Sequence, residues 1–281
     1  MSIEFGNWFN QWIVANTLPK SLKYIKIGYS FDQRIEINVS PDSLETIIFT
    51  GRYNYPVGPG VLPKSLKYIV FGSEFNYTIQ HNTFPNSIET IIFGYRFNRT
   101  IGRNILPSSL KHIKFGWHFN EPIGENVLPA RLESIEFGHK FDQEMGSNVL
   151  PDSLKSIIFE ASFSWPIRTL PKSLKSIEYG HVFSQPISTM FLPDSVEYIH
   201  ICDCFRSEFI TECLPANLRY LRNSSTYVLN ALNSIGASVY FSVVIDFPTA
   251  DERYIEMADI VYPVLHDPDF TRNDEYEIIG T

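Results

Sequence analysis

Ten prolines hold one register: Pro19, Pro41, Pro63, Pro85, Pro107, Pro129, Pro151, Pro171, Pro193 and Pro215 stand 22 residues apart, except for one interval of 20 between Pro151 and Pro171. A unit of this size cannot bury an apolar face alone, so the register requires stacked copies sharing one continuous core. A clear copy runs from Leu62-Pro63-Lys64-Ser65-Leu66 through Ile69, Phe71-Gly72 and Phe75-Asn76 to Ile79, and a truncated eleventh copy opens the chain as Ile3-Glu4-Phe5-Gly6, Phe9-Asn10 and Ile13.

Each column of the repeat has a physical role. Apolar residues stand three, six and eight positions after the proline (Leu66, Ile69, Phe71; Leu110, Ile113, Phe115), a spacing in which a short strand turns alternate side chains inward. A second aromatic follows at twelve (Phe75, Phe97, Phe119) and an aliphatic residue at sixteen (Ile79, Ile101, Ile123). The columns at eight and twelve, with Phe5 and Phe9, hold 16 of the 22 Phe, which assigns the aromatic richness to stacked core. The glycine at nine (Gly28, Gly72, Gly94, Gly116, Gly138, Gly180) suits either a positive φ or close backbone packing. The short polar residue at thirteen (Asn76, Asn98, Asn120, Asp142) suits side-chain hydrogen bonds to turn amides.

Charges test the stacking independently. Four positions after the prolines the chain reads Lys23, Glu45, Lys67, Glu89, Lys111, Glu133, Lys155, Lys175, Glu197 and Arg219. In a parallel sheet with strands ~4.8 Å apart, like charges in one column repel and alternating ones pair. The alternation breaks between Lys155 and Lys175, at the interval of 20, where a local irregularity of the stack is expected.

The charge balance differs along the chain: residues 1–222 carry 21 Lys/Arg against 21 Asp/Glu, and residues 223–281 carry 2 against 10. A neutral body with an acidic end lacks the basic stripe that nucleic acid requires. No apolar run is long enough to span a membrane, and Met1-Ser2-Ile3-Glu4-Phe5 lacks the pattern of a secretory signal. Three cysteines are too few for a disulfide framework, so a reducing, intracellular and cytoplasmic setting is expected.

The motif Leu-Pro-x-Ser-Leu-Lys-x-Ile-x-Phe-Gly-x-x-Phe-Asn-x-Pro-Ile, best seen from Leu106 to Phe119-Asn120-Glu121-Pro122-Ile123, resembles the FNIP repeat, a 22-residue variant of the leucine-rich repeat. The resemblance spans residues 1–222 and implies a β-rich, right-handed solenoid with one long parallel sheet and ten to eleven rungs. It also implies an origin in amoebae or their giant viruses, which would place a viral member in the host cytoplasm. Members often carry an N-terminal F-box that links them to ubiquitin transfer. Only two residues precede the first expected strand here, so the resemblance passes ligase recruitment to no residue of this sequence.

Residues 223–281 are expected to form an acidic α/β cap: helical spacing from Tyr227 to Ile235, a strand over 238–246, and a helix from the Thr249-Ala250-Asp251-Glu252 capping box to about Val261. The amino end is expected to be bare. Trp8 and Trp12 in the first coil therefore mark a candidate self-association surface, and with it a homodimer.

The chain contains no nucleophile elbow, phosphate-cradling glycine loop or zinc-protease motif, so no catalytic set, cofactor or metal is expected. His200-x-Cys202-x-Cys204 with Cys213 has metal-ligand residue types. It departs from the usual zinc knuckle, although spacing of two would place its first three members on one strand face. Asn76-Tyr77-Thr78 and Asn98-Arg99-Thr100 match the glycosylation triplet as by-products of the repeat. The outward strand positions, five and seven, form the concave surface of such a solenoid. Ile48, Val70 and Ile92 make an apolar stripe there, with Tyr95, Arg96, Trp117, His118 and His139 beside it at ten and eleven, residue types that favour protein-binding hot spots. The expected function is a non-enzymatic scaffold that binds a protein partner on this face.

Overall fold

The computed structural model describes residues 1–186, 192–202, 205 and 214–222. The chain divides into two units, residues 1–244 and 245–281. The second unit and the cap expected over 223–281 lie outside the described residues.

Eleven short strands form one parallel sheet in chain order: β1 (Ser2–Glu4), β2 (Tyr24–Ile27), β3 (Thr46–Phe49), β4 (Tyr68–Val70), β5 (Thr90–Ile92), β6 (His112–Lys114), β7 (Ser134–Phe137), β8 (Ser156–Phe159), β9 (Ser176–Tyr179), β10 (Tyr198–Ile201) and β11 (Tyr220–Arg222). Pairing follows the repeat, so Ile69 faces Ile91 and Ile91 faces Ile113. The chain is a parallel β-solenoid, and the columns at three, six, eight and twelve supply a core in which Leu66, Ile69, Phe71 and Phe75 have no exposed surface.

Each coil closes through short turns. The proline carbonyl accepts the amide of the leucine three residues on, as from Leu110 to Pro107 at 3.1 Å. After the strand, the aromatic amide at twelve returns to the glycine carbonyl, Phe119 to Gly116 at 3.1 Å, and carries its ring back into the core. Three residues before the proline the chain turns left-handed, with Asn104, Asn126 and Asn148 at φ 59°, 59° and 63° and Gly60 at 80°. Asparagine and glycine tolerate this conformation best.

Side-chain ladders join the coils. Serine hydroxyls two positions after the proline donate to the leucine-column carbonyl of the preceding rung, Ser65 to Leu44 and Ser87 to Leu66, each at 2.6 Å. The carbonyl oxygens of Asn76, Asn98 and Asn120 accept the backbone amides of Asn98, Asn120 and Asp142 at 3.0, 2.8 and 2.9 Å. The turn amides bonded by this column thus belong to the next coil, and both glycosylation-like asparagines are held in the ladder.

Aromatic rings at eight and twelve of one rung stack at 3.9 Å in Phe93–Phe97 and in Phe115–Phe119. Between rungs the separation grows outward from the ~4.8 Å of strands: Phe93–Phe115 and Phe115–Phe137 lie at 5.7 and 5.8 Å, and Phe75–Phe97 and Phe97–Phe119 at 6.1 Å. Equivalent atoms of successive rungs are displaced by the local repeat, so the coils fan apart away from the sheet. The sheet therefore lies on the inner, concave side of the array.

The charged column pairs as its alternation requires. Glu45 meets both Lys23 and Lys67 at 2.9 and 3.0 Å, Lys155 meets Glu133 at 2.8 Å, and Lys175 meets Glu197 at 2.7 Å. At the interval of 20 the structure differs from expectation. The sheet passes through in register, Ser156 to Ser176 and Ile157 to Ile177, and Phe163 stacks on Phe183 at 6.3 Å. The shortening falls in the turn Ile167-Arg168-Thr169-Leu170, which lacks the asparagine of its neighbours. Each of the two lysines has a glutamate on its other side.

Candidate functional site

The glycine column explains how exposed side chains are brought together at the end of the strands. A Cβ on Gly116 would lie 1.8 Å from the Gly94 carbonyl oxygen, and one on Gly138 at 1.8 Å from that of Gly116. Close backbone approach, not a positive φ, is what requires glycine there. A ladder in the following turns fixes the next residues: the amides of Arg96, His118, Lys140 and Ser162 donate to the carbonyls of Ser73, Tyr95, Trp117 and His139 at 2.9, 3.0, 2.9 and 3.0 Å.

Position ten of consecutive rungs thus becomes a row of rings along one edge of the sheet. Tyr95 stacks on Trp117 at 5.8 Å, and Trp117 on His139 at 3.7 Å with their planes 4° apart. His118 sets its ring edgewise against Tyr95 at 4.9 Å. Tyr95 remains 49% exposed; Arg96 is also exposed, while Trp117, His118 and His139 are half-buried. Burial holds both imidazoles below their ordinary range. Lys140 and Arg96 add to this at His118, and His181 and Lys140 at His139.

Arg96 reaches Glu74 on the preceding turn at 3.0 Å, which continues the row into a pocket of about 540 Å³ between Tyr29, Arg52, Tyr55, Glu74 and Tyr77. The Arg52 guanidinium lies 5.9 Å from the centre of the Tyr29 ring, a cation–π arrangement. Arg52, Glu74 and Lys140 were not singled out from the sequence. Their signal was available, since all three extend the same column at eleven.

The apolar stripe needs correction. Ile48 and Val70 are only 5% and 3% exposed, and Ile92 is half-buried. In register, Ile48 stands between Lys26 and Val70, and Val70 between Ile48 and Ile92. On the inner side of a curved array branched side chains at strand spacing close over one another. The stripe is a satellite core and not an open patch.

Of the histidine–cysteine set, only His200 and Cys202 lie among the described residues, and each meets a different partner. β10 ends at Ile201, and Cys202 takes the turn position that glycine holds elsewhere. It is 6% exposed, with its sulfur 3.0 Å from Nδ1 of His181, whereas His200 Nδ1 meets Glu178 at 3.3 Å. Cys204 and Cys213 lie outside the described residues. His112 is a sheet residue, with Nδ1 2.8 Å from the Ser134 hydroxyl and burial lowering its pKa. On the first coil Trp8 and Trp12 are 90% and 67% exposed.

The FNIP Repeat family profile matches residues 9–51, 53–96, 97–140, 123–162, 141–178 and 163–204. The chain belongs to the FNIP-repeat family. Among solved structures, this FNIP chain is similar to CroV588, described as a novel circular LRR protein, with 32% identity over 78% of this chain and 42% of the other, at a TM-score of 0.47. It is also similar to YopM from Yersinia enterocolitica WA-314, with 20% identity over 73% of this chain and 42% of that one, again at 0.47. The chain spans less than half the length of either. No curated protein matches it.

Proposed function

We propose that this FNIP array is a non-enzymatic scaffold that binds a protein partner along the sheet edge formed by Tyr95, Arg96, Trp117, His118 and His139. The observation that carries the reading is the half-exposed ring row itself. Tyrosine, tryptophan and arginine dominate binding energies at protein interfaces, and a row fixed by a backbone ladder loses little conformational entropy on binding. The concave sheet face continues the surface, with the half-buried Ile92 beside the row. The test is quantitative affinity capture from cell extract with wild type and a Tyr95→Ala/Trp117→Ala variant, each checked for folding by thermal unfolding. A partner lost from the folded variant supports the reading, and an unchanged set of partners contradicts it.

A link to ubiquitin transfer would make that partner a substrate; its support is the family alone. A cytoplasmic setting, host cytoplasm for a viral chain, belongs to the same reading. A second reading, self-association into a homodimer through the first coil, is favoured by the exposure of Trp8 and Trp12 beside the edge strand β1. Light scattering across a concentration series decides it. A dimer of wild type abolished by Trp8→Asp supports this reading, and a concentration-independent monomer overturns it.

A further inference from the structure

The ring row gathers basic side chains on a chain whose net charge is −8. Between Tyr95 and Val182, positions ten and eleven carry Arg96, His118, His139, Lys140 and His181, and no carboxylate. The groups that act electrostatically on the two half-buried imidazoles are all basic residues: Lys140 and Arg96 on His118, His181 and Lys140 on His139. The nearby carboxylates are Glu74, engaged by Arg96 at 3.0 Å, Glu136, paired with Lys114 at 2.6 Å, Asp142, which accepts the Ser164 amide and hydroxyl at 3.0 and 2.9 Å, and Glu160, one position before this column. By contrast, the alternating column at four positions after the prolines pairs its charges within itself, as in Lys111–Glu89 at 2.8 Å. Basic side chains are therefore gathered at one place, where stacked aromatic edges also meet solvent.

We propose that this edge docks an acidic segment of a partner protein, whose carboxylates meet Arg96, Lys140 and the two imidazoles while an apolar residue packs against the exposed side of Tyr95. The proposal rests on the reading of the row as the binding surface and adds the chemistry of its partner. A nucleic acid strand fits less well. Base recognition on single strands uses open aromatic faces, and here Trp117 has His139 on one face at 3.7 Å and Tyr95 at 5.8 Å.

The model of docking carries a pH signature. Burial, with neighbouring basic groups adding to it, lowers the pKa of His118 and His139 in the unbound array. An arriving carboxylate favours the protonated rings, so docking takes up protons and tightens as pH falls through the histidine range.

The test selects short random displayed peptides on the full chain near pH 6.5. The recovered peptides are then titrated by fluorescence anisotropy at about pH 8 and pH 6. Asp/Glu-rich peptides are expected, weakened about tenfold by the surface variant Lys140→Glu. They bind roughly threefold or more tightly at the lower pH, a dependence flattened in His118→Gln/His139→Gln. Basic or uncharged peptides displaced by Lys140→Glu or Trp117→Ala would leave the row as the binding surface and overturn the acidic partner. Peptides indifferent to every substitution in the row, or no selected peptide at all, would overturn both. Binding of a labelled oligothymidylate that Lys140→Glu abolishes would overturn the proposal in favour of nucleic acid.

Discussion

Gly116 and Gly124 lie eight residues apart in one coil and have opposite surroundings. A Cβ at Gly116 would sit 1.8 Å from the Gly94 backbone oxygen of the preceding rung, whereas at Gly124 the nearest heavy atom is a Val127 methyl at 4.0 Å. Gly116→Ala is expected to cost about 3 kcal/mol or more, as overpacking against backbone does, and Gly124→Ala to lie within about 0.5 kcal/mol of wild type. Urea unfolding of the two variants checks this pair. Tyr53 offers the reverse case. It replaces the phenylalanine of its column, its ring is 1% exposed, and its hydroxyl, close to the Ile35 backbone, makes no hydrogen bond of good geometry among the described residues; burial pushes the phenol pKa well up. Removing a buried unsatisfied hydroxyl while keeping the ring that stacks on Phe49 at 4.1 Å predicts that Tyr53→Phe stabilises the array by about 1 kcal/mol. An unchanged or lowered thermal midpoint would contradict that account.

At the level of columns, the glutamates of the charge ladder set the acid limit of stability. A side-chain hydrogen bond from Lys23 leads in lowering Glu45, with Lys67 adding to it, one from Lys155 leads at Glu133, and one from Lys175 at Glu197, all from an ordinary value of 4.5. Carboxylates with depressed folded pKa values stabilise fully above that ordinary value, and the contribution disappears as pH falls through the lower, folded one. The thermal midpoint is therefore expected to drop between about pH 6 and pH 3 in dilute salt. The drop should be smaller near 1 M salt, where exposed pairs are already screened. Scanning calorimetry at both ionic strengths measures the difference.

The same column shows how far the sequence can be read. Period and charge sign are visible in residues such as Lys111 and Glu133 because each depends only on which side chain stands at a fixed offset. The ring row was legible on the same terms through Tyr95, Trp117 and His139. The burial of Ile48 and Val70 was not, because it comes from curvature, which brings outward side chains together and appears in no single repeat. The left-handed turn at Asn104 recurred with the period, but asparagine also reads as an ordinary polar turn residue. The smooth passage of the sheet past Lys155 and Lys175 depended on where two residues were removed, and Ile167 to Leu170 confine that change to a turn.

For the array as a whole, each coil touches mainly its neighbours, so stability is a sum of coils and interfaces, while the binding surface belongs to no single coil. Tyr95, Trp117 and His139 come from three consecutive turns, and Arg96 joins them to a fourth through Glu74. The edge exists only while the backbones of those turns stay in contact, which links the glycine column directly to the proposed binding surface. The proposed function places binding on this edge of the curved sheet. The most direct test is hydrogen exchange by mass spectrometry on the full chain, free and with its captured partner. The account predicts slowed exchange at the amides of Arg96, His118 and Lys140. Protection confined to the left-handed turns at Asn104, Asn126 and Asn148, with those three amides unchanged, would contradict it.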